Sequence, residues 1–116
     1  MTRRLRVDKS YLFYDAWRLL AADRAEPVAE YPFSKVLGRR HRFDWAFVPE
    51  RVGVEVDGGV WSANGGRHAS DTDREKLNLA ASLRWLVFRF SPQMLERDPA
   101  GCVELVVKAL EDQSEH

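Results

Sequence analysis

Two short alternating runs joined by a proline turn constrain this chain more than any other feature. From His41 to Phe47 the apolar Phe43, Trp45 and Phe47 alternate with Arg42, Asp44 and Ala46, and from Val52 to Asp57 the apolar Val52, Val54 and Val56 alternate with Gly53, Glu55 and Asp57. That two-residue period belongs to half-buried strands. Between them Val48-Pro49-Glu50-Arg51 suits a type I turn, because proline at its second position already holds the required φ. A hairpin closed there sets Phe47 against Val52, Trp45 against Val54 and Phe43 against Val56 on one apolar face. The other face then sets Asp44 against Glu55 and Arg42 against Asp57.

Side chains directly opposed across such a pair have Cβ atoms roughly 4.5–5.5 Å apart, and like charges there are destabilising. Either one carboxyl takes a proton, its pKa raised by its neighbour, or a hard divalent cation binds both, as Mg²⁺ does at about 2.0–2.1 Å from oxygen. Asp57, on the same pleat as Glu55, can add a ligand or orient a water. The plain alternative is that Asp57 pairs with Arg42 while Asp44 and Glu55 are solvated on an open sheet face.

Asp44, ten intervening residues and then Glu55-Val56-Asp57 resembles the metal-binding core of the PD-(D/E)XK nuclease superfamily. The wider run also resembles its small phage and bacterial members, which include Holliday-junction resolvase-like proteins and relatives of the very-short-patch repair endonuclease. It passes from Glu30-Tyr31-Pro32-Phe33 through Arg39-Arg40-His41-Arg42, Glu55-Val56-Asp57-Gly58-Gly59, Gly66-Arg67-His68 and Asp73-Arg74-Glu75-Lys76 to Trp85-Leu86-Val87-Phe88-Arg89-Phe90.

The resemblance implies a restriction-endonuclease-like α/β fold and an endodeoxyribonuclease dependent on Mg²⁺, with Mn²⁺ substituting. Asp44, Glu55 and Asp57 would be its metal ligands, and Glu30 the acid ahead of them, with Asp15 or Glu26 as alternatives. Branched DNA is the implied substrate, resolved by a Holliday-junction resolvase acting as a homodimer. The rivals are a strand-nicking repair enzyme of the very-short-patch kind, whose structural zinc ligands are not evident here, and a non-catalytic nucleic-acid-binding module on the same fold. One departure matters: the superfamily's lysine, two residues after the acid, is Asp57.

Lys76 is the candidate replacement. It falls on a helix expected from Thr72 to Leu83, begun by Ser70 and Asp71 as capping residues. Asp73 and Lys76 share one face of it; the plain reading is an exposed ion pair worth under about 1 kcal/mol. His68 closes the glycine-rich run Trp61 to His68, a loop in which the histidine would protonate the leaving oxygen or hydrogen-bond the phosphate, or would simply be a surface residue. One cysteine and scattered histidines give no zinc spacing.

Composition bounds the rest. The chain has 116 residues, 45% of them hydrophobic, and four tryptophans, enough for one compact core and one domain. Basic and acidic residues number 18 each, so any affinity for phosphates must come from local concentration of charge. Arg39, Arg40 and Arg42, with Arg67 and Arg74, are the expected nucleic-acid contacts. Residues 1–9 read as a basic arm without order of its own, and residues 112–116 as an acidic solvating tail. No targeting or membrane segment is read, and the lone Cys102 fits a reducing cytoplasm.

The remaining segments supply scaffold. Ser10 to Ala22 reads as a helix with Leu12, Phe13, Ala16, Leu19 and Leu20 facing the core. Val28 to Phe33 reads as a strand, and Trp85 to Phe90 as a central strand buried on both faces. Ser91-Pro92 and Asp98-Pro99 open two further helices. The order gives α/β layers around a mixed central β-sheet flanked by helices. Tyr11, Tyr14, Trp17 and the loop at Trp61 are the expected dimer contacts.

Overall fold

The computed structural model describes residues 8–57 and 70–114. Helix α1 spans Tyr11–Leu20, followed by strands β1 (Val28–Tyr31), β2 (Phe43–Phe47) and β3 (Val52–Val56), helix α2 (Asp71–Ser82), strand β4 (Leu86–Phe90), and helices α3 (Pro92–Arg97) and α4 (Pro99–Ser114). The strands form one sheet in the order β1-β2-β3-β4. Its first three strands are antiparallel, and β4 runs parallel to β3. The expected mixed α/β architecture is therefore present.

Capping side chains fix where the helices begin. Ser70 accepts the amide of Asp73 and Ser91 that of Met94, each at 3.1 Å. Asp98 accepts the amide of Gly101 at 3.0 Å, with Pro99 as the first residue of α4. Each cap satisfies an amide that has no partner inside its own helix.

The turn between β2 and β3 is the expected one, closed by Arg51 N–H donating to Val48 O at 3.1 Å. Arg51 itself takes the left-handed region at φ 58°, and its guanidinium donates to Leu83 O at 2.6 Å. This contact ties the hairpin to the end of α2 and offsets the backbone strain.

Beyond the turn, Phe47 pairs with Val52, Ala46 with Gly53 and Trp45 with Val54. The expected register then stops. The amide of Val56 donates to the Asp44 side chain, Oδ2, at 2.8 Å, and the β1 register skips from Ala29–Trp45 to Tyr31–Phe43, leaving Glu30, at φ 51°, and Asp44 unpaired in the ladder. The pleat breaks there, and Phe43 leaves the face of Trp45 and Phe47 on which the alternation placed it. Its ring lies flat over Gly53, where a Cβ would come within 2.7 Å of Phe43 Cδ2, and stacks on Phe33 with ring centroids 4.0 Å apart.

Gly53→Ala is therefore expected to cost about 1–3 kcal/mol, the scale of overpacking in a filled core, since Phe33 blocks the retreat of Phe43. Urea melts of the two proteins check this, and an unchanged midpoint would mean that Phe43 is free to move.

Two apolar layers follow. On one face α1, α3 and α4 cover Phe47, Val52, Val54 and Phe90 with Phe13, Trp17, Leu95, Val103 and Val106; on the other, Phe33, Phe43 and Ala46 meet Ala80 of α2. The core stripe of α1 is rotated from the expected one. Trp17 is 1% exposed and Leu19 80% exposed, because an indole buries more apolar area than a leucine and Trp17 Nε1 finds a partner in Ala25 O at 3.1 Å. Trp17 thus belongs to the chain's own core rather than to a subunit interface. Tyr14 stacks on Trp45 with centroids 5.0 Å apart and donates to Glu26 at 2.7 Å. Tyr11 remains half-exposed, and Trp61 lies outside the described residues.

Strand β4 is a second correction, for it ends the sheet and β3 is the strand buried within it. Phe88 and Phe90 join the layer under α1 and α4, while Trp85 and Val87 join the layer under α2. A run apolar on both sides reports cover above and below, which an end strand can have as readily as a central one. Among the described residues no helix is long and apolar enough to cross a membrane.

Candidate active site

Where β3 leaves the hairpin, its alternation points Glu55 toward α2 and away from the larger core. Parallel pairing sets Glu55 beside Arg89 of β4, so both side chains emerge on the same face. Helix α2 lies over that face and brings Asp73 and Lys76, three residues apart, down onto it. Glu55 is only 7% exposed. Lys76 Nζ donates to its Oε2, and Arg89 Nε stands 4.0 Å from its Oε1.

Arg89 links the acids. Its Nη2 lies 3.4 Å from Asp57 Oδ1 and 3.8 Å from Asp73 Oδ1, so one guanidinium bridges β3 and α2. Burial works against its charged form, but Asp57, Asp73 and Glu55 outweigh that and hold the guanidinium above its ordinary pKa. Asp57 is further fixed by its own amide, which donates to Phe90 O at 2.9 Å.

Asp44 has a different environment. Burial pushes its carboxyl up from 3.8 to about 6, aided by the charges of Glu55 and Asp8, while the Val56 amide and Lys76 pull the other way. A raised carboxyl pKa means that the folded chain favours the protonated form. Its contribution to stability is present below about pH 4 and is lost as pH rises through about 6.

Asp44→Asn keeps an oxygen for the Val56 amide and removes the charge. The metal-free protein should gain about 1–2 kcal/mol at pH 8, a linkage figure reduced for the partial exposure of the group, and nothing near pH 4. Urea melts in chelator at both pH values test this. An equal gain at the two pH values would mean that charge is not the cause.

Asp44, Glu55, Asp57 and Lys76 thus lie at one end of the sheet, without the direct opposition of Asp44 and Glu55 that the alternation predicts. Other expected partners do not. Arg42 Nη1 lies 3.5 Å from Glu30 Oε1, so Asp57 pairs with Arg89 instead of Arg42, and Glu30 faces its own cation on the exposed side. Glu26 is engaged by Tyr14. Asp73 and Lys76 make no pair with one another, since each reaches a separate partner on the sheet. Arg74 pairs with Asp71 at 3.1 Å, and Arg39 and His41 both reach Glu75 at 3.1 Å, holding its carboxyl below the usual range. Arg40 and Lys35 make no ion pair among the described residues. His68 and Arg67 lie outside the described residues.

The sequence reading missed Arg89. Its signal was a single charge in an apolar strand, which must find a counter-charge once the strand packs; parallel pairing with β3 supplies it. Among the described residues no three His, Cys, Asp or Glu side chains converge as a ready metal-binding group, because Lys76 and Arg89 stand between the acids. No family model, curated protein or solved structure matches the chain.

Proposed function

We propose that the chain is a Mg²⁺-dependent endodeoxyribonuclease acting on branched DNA, with a restriction-endonuclease-like core and a working form that is a homodimer in the reducing cytoplasm. The observation that carries this reading is the charge of the site. Among the described residues, the cations that face Asp44, Glu55, Asp57 and Asp73 are Lys76 and Arg89, leaving a formal charge of −2 for these six groups, the deficit one divalent cation neutralises. The Asp44 carboxyl, pushed up to about 6 by burial and by the charges of Glu55 and Asp8, fits the same need.

Asp44 and Glu55 would hold the metal and Asp57 would complete its shell, with Mn²⁺ able to replace Mg²⁺. When bound, such an ion lowers the pKa of an attacking water and neutralises charge on the phosphate. The chain's own residues do the rest. Lys76, hydrogen-bonded to Glu55, takes the place of the lysine absent at Asp57 and positions water, and Arg89 bridges and orients Asp57 and Asp73. Arg39, Arg40 and Arg42 approach the DNA backbone; Arg67 and His68, expected to join them, lie outside the described residues.

So small a domain favours recognition of DNA shape over base sequence, which points to four-way junctions. Paired cuts there need two sites related by a twofold axis, and a dimer supplies them. A second reading is favoured by the presence of Lys76 and Arg89 among the acids, which already compensates much of the charge: a non-catalytic nucleic-acid-binding module.

Incubation with four-way, flap, mismatched and linear duplex DNA in Mg²⁺, Mn²⁺ and chelator separates these. We expect metal-dependent paired incision of the junction. Nicking of the mismatched duplex alone would indicate a repair-type enzyme, and binding without cleavage in either metal would leave the module.

A further inference from the structure

We propose that the turn from Lys35 to Arg42 is a rigid wedge that opens a base step of the bound DNA, Val36 entering the stack while cations on either side hold the phosphates. The inference rests on the reading of the chain as DNA-binding, and the experiment below lets the two fail separately.

Solitary exposed apolar residues need no explanation, but this turn has a particular construction. Its base is locked into the core. Phe33 is stacked against Phe43, and the fully buried Ser34 accepts from His41 N–H at 2.8 Å and donates to His41 O at 3.2 Å. Within the turn Leu37 and Arg39 donate to Ser34 O at 2.9 and 3.1 Å, and Gly38 to Lys35 O at 2.8 Å. Gly38 closes it at φ 74°, where the left-handed backbone favours glycine.

From this fixed base Val36 projects with 77% of its surface exposed and Leu37 with 42%. A stiff, β-branched side chain held out in water on an ordered turn loses little further freedom when it is buried by a partner. The charge around it indicates what that partner is. Lys35, Arg39, Arg40 and Arg42 surround the apolar tip with no acid between Phe33 and Phe43, in a chain whose formal charge is zero. Arg39 and Arg42 are each balanced by a glutamate, whereas Lys35 and Arg40 make no ion pair among the described residues.

An apolar wedge flanked by cations fits duplex or junction DNA, where proteins drive aliphatic side chains between base steps and hold the adjoining phosphates. The wedge also sits beside the acidic site. Arg39 and His41 grip Glu75, and the next residue of α2, Lys76, grips Glu55. A base step opened at Val36 would therefore be bent next to the acids.

The test uses junction and linear duplex DNA carrying 2-aminopurine at successive positions, titrated with the full chain in chelator so that nothing is cut. Fluorescence reports unstacking and anisotropy reports binding. We expect a position-specific fluorescence rise with the parent protein. Val36→Ser should bind within a few-fold but lose the rise, with an unchanged thermal melt. Lys35→Ala and Arg40→Ala should each weaken binding, lower the salt slope by about 0.9 and keep the rise at saturation.

Binding with no unstacking, or an equal rise with Val36→Ser, would overturn the wedge even if the parent cuts DNA in Mg²⁺. Binding only to anionic phospholipid vesicles would overturn it as well. Unstacking that depends on Val36, in a protein that cuts nothing in either metal, would uphold the wedge and remove the nuclease.

Discussion

Glu55→Gln is expected to abolish Mg²⁺-dependent cleavage and at the same time to destabilise the chain. The two effects have different causes. Loss of the carboxylate charge removes the proposed metal ligand, and we expect a rate at least about 10³-fold lower, at the upper end of what one lost electrostatic stabiliser costs. Loss of stability comes from Lys76. Its ammonium is largely enclosed and donates to Glu55 Oε2, so a neutral amide there leaves a desolvated charge against a weaker acceptor. About 1–3 kcal/mol should be lost.

Lys76→Ala is the partner experiment. It should lower the rate by roughly 10²-fold, the scale of a lost acid, base or charge stabiliser, while leaving DNA affinity nearly unchanged. The pair Glu55→Gln with Lys76→Met should recover part of the stability, because neither group is then left alone. Cleavage rates together with urea melts of the singles and the double decide it. Near-normal turnover by Glu55→Gln would remove the proposed site, and stabilities that simply add would mean that Lys76 and Glu55 do not depend on one another.

These expectations differ from the sequence alone for a physical reason. Opposed carboxylates on a hairpin suggest that removing either one relieves repulsion. The fold divides them: Asp44 makes no ion pair among the described residues and should behave that way, while Glu55 is gripped by Lys76 and should not. The hairpin register and the helix caps were legible because both are local, fixed by turn chemistry and by side chains within four residues of the groups they satisfy. The break at Asp44 was not. It depends on Glu30 taking a left-handed backbone across a second strand, and on Gly53 leaving a flat place for the Phe43 ring, and no alternation pattern carries either fact.

Position within the sheet was equally hidden. The sequence of Trp85 to Phe90 says that both faces are covered, but only the tertiary arrangement says on which side its neighbour lies. That choice decides the site, since it is the parallel pairing with β3 that sets Arg89 next to Glu55. Lys76 could be singled out beforehand as a substitute for the lysine replaced by Asp57, and its helical spacing suggested a pair with Asp73, whereas its partner is a glutamate 21 positions away in the chain.

Arg89→Met should therefore be strongly destabilising at the acidic end of the sheet. Methionine fills much of the space of the arginine stem and pairs with nothing, so Glu55, Asp57 and Asp73 would face one another with Lys76 as the remaining cation. Breaking a charge cluster by removing one sign leaves the other uncompensated, and for fully buried pairs the loss is about 3–5 kcal/mol. Arg89 keeps about a third of its side chain exposed, at 34%, and solvent should reduce the loss to about 2 kcal/mol.

The signature that separates this from ordinary loss of packing is rescue by a divalent ion. Millimolar Ca²⁺ or Mg²⁺ should raise the thermal midpoint of Arg89→Met by more than that of the parent, because the variant's acids gain the counter-charge they lost. Arg89→Lys should fall between the two, since an ammonium keeps the charge but cannot span Asp57 and Asp73 as the guanidinium does. Equal shifts in parent and variant on adding the ion would mean that Arg89 holds the strand by packing and not the acids by charge.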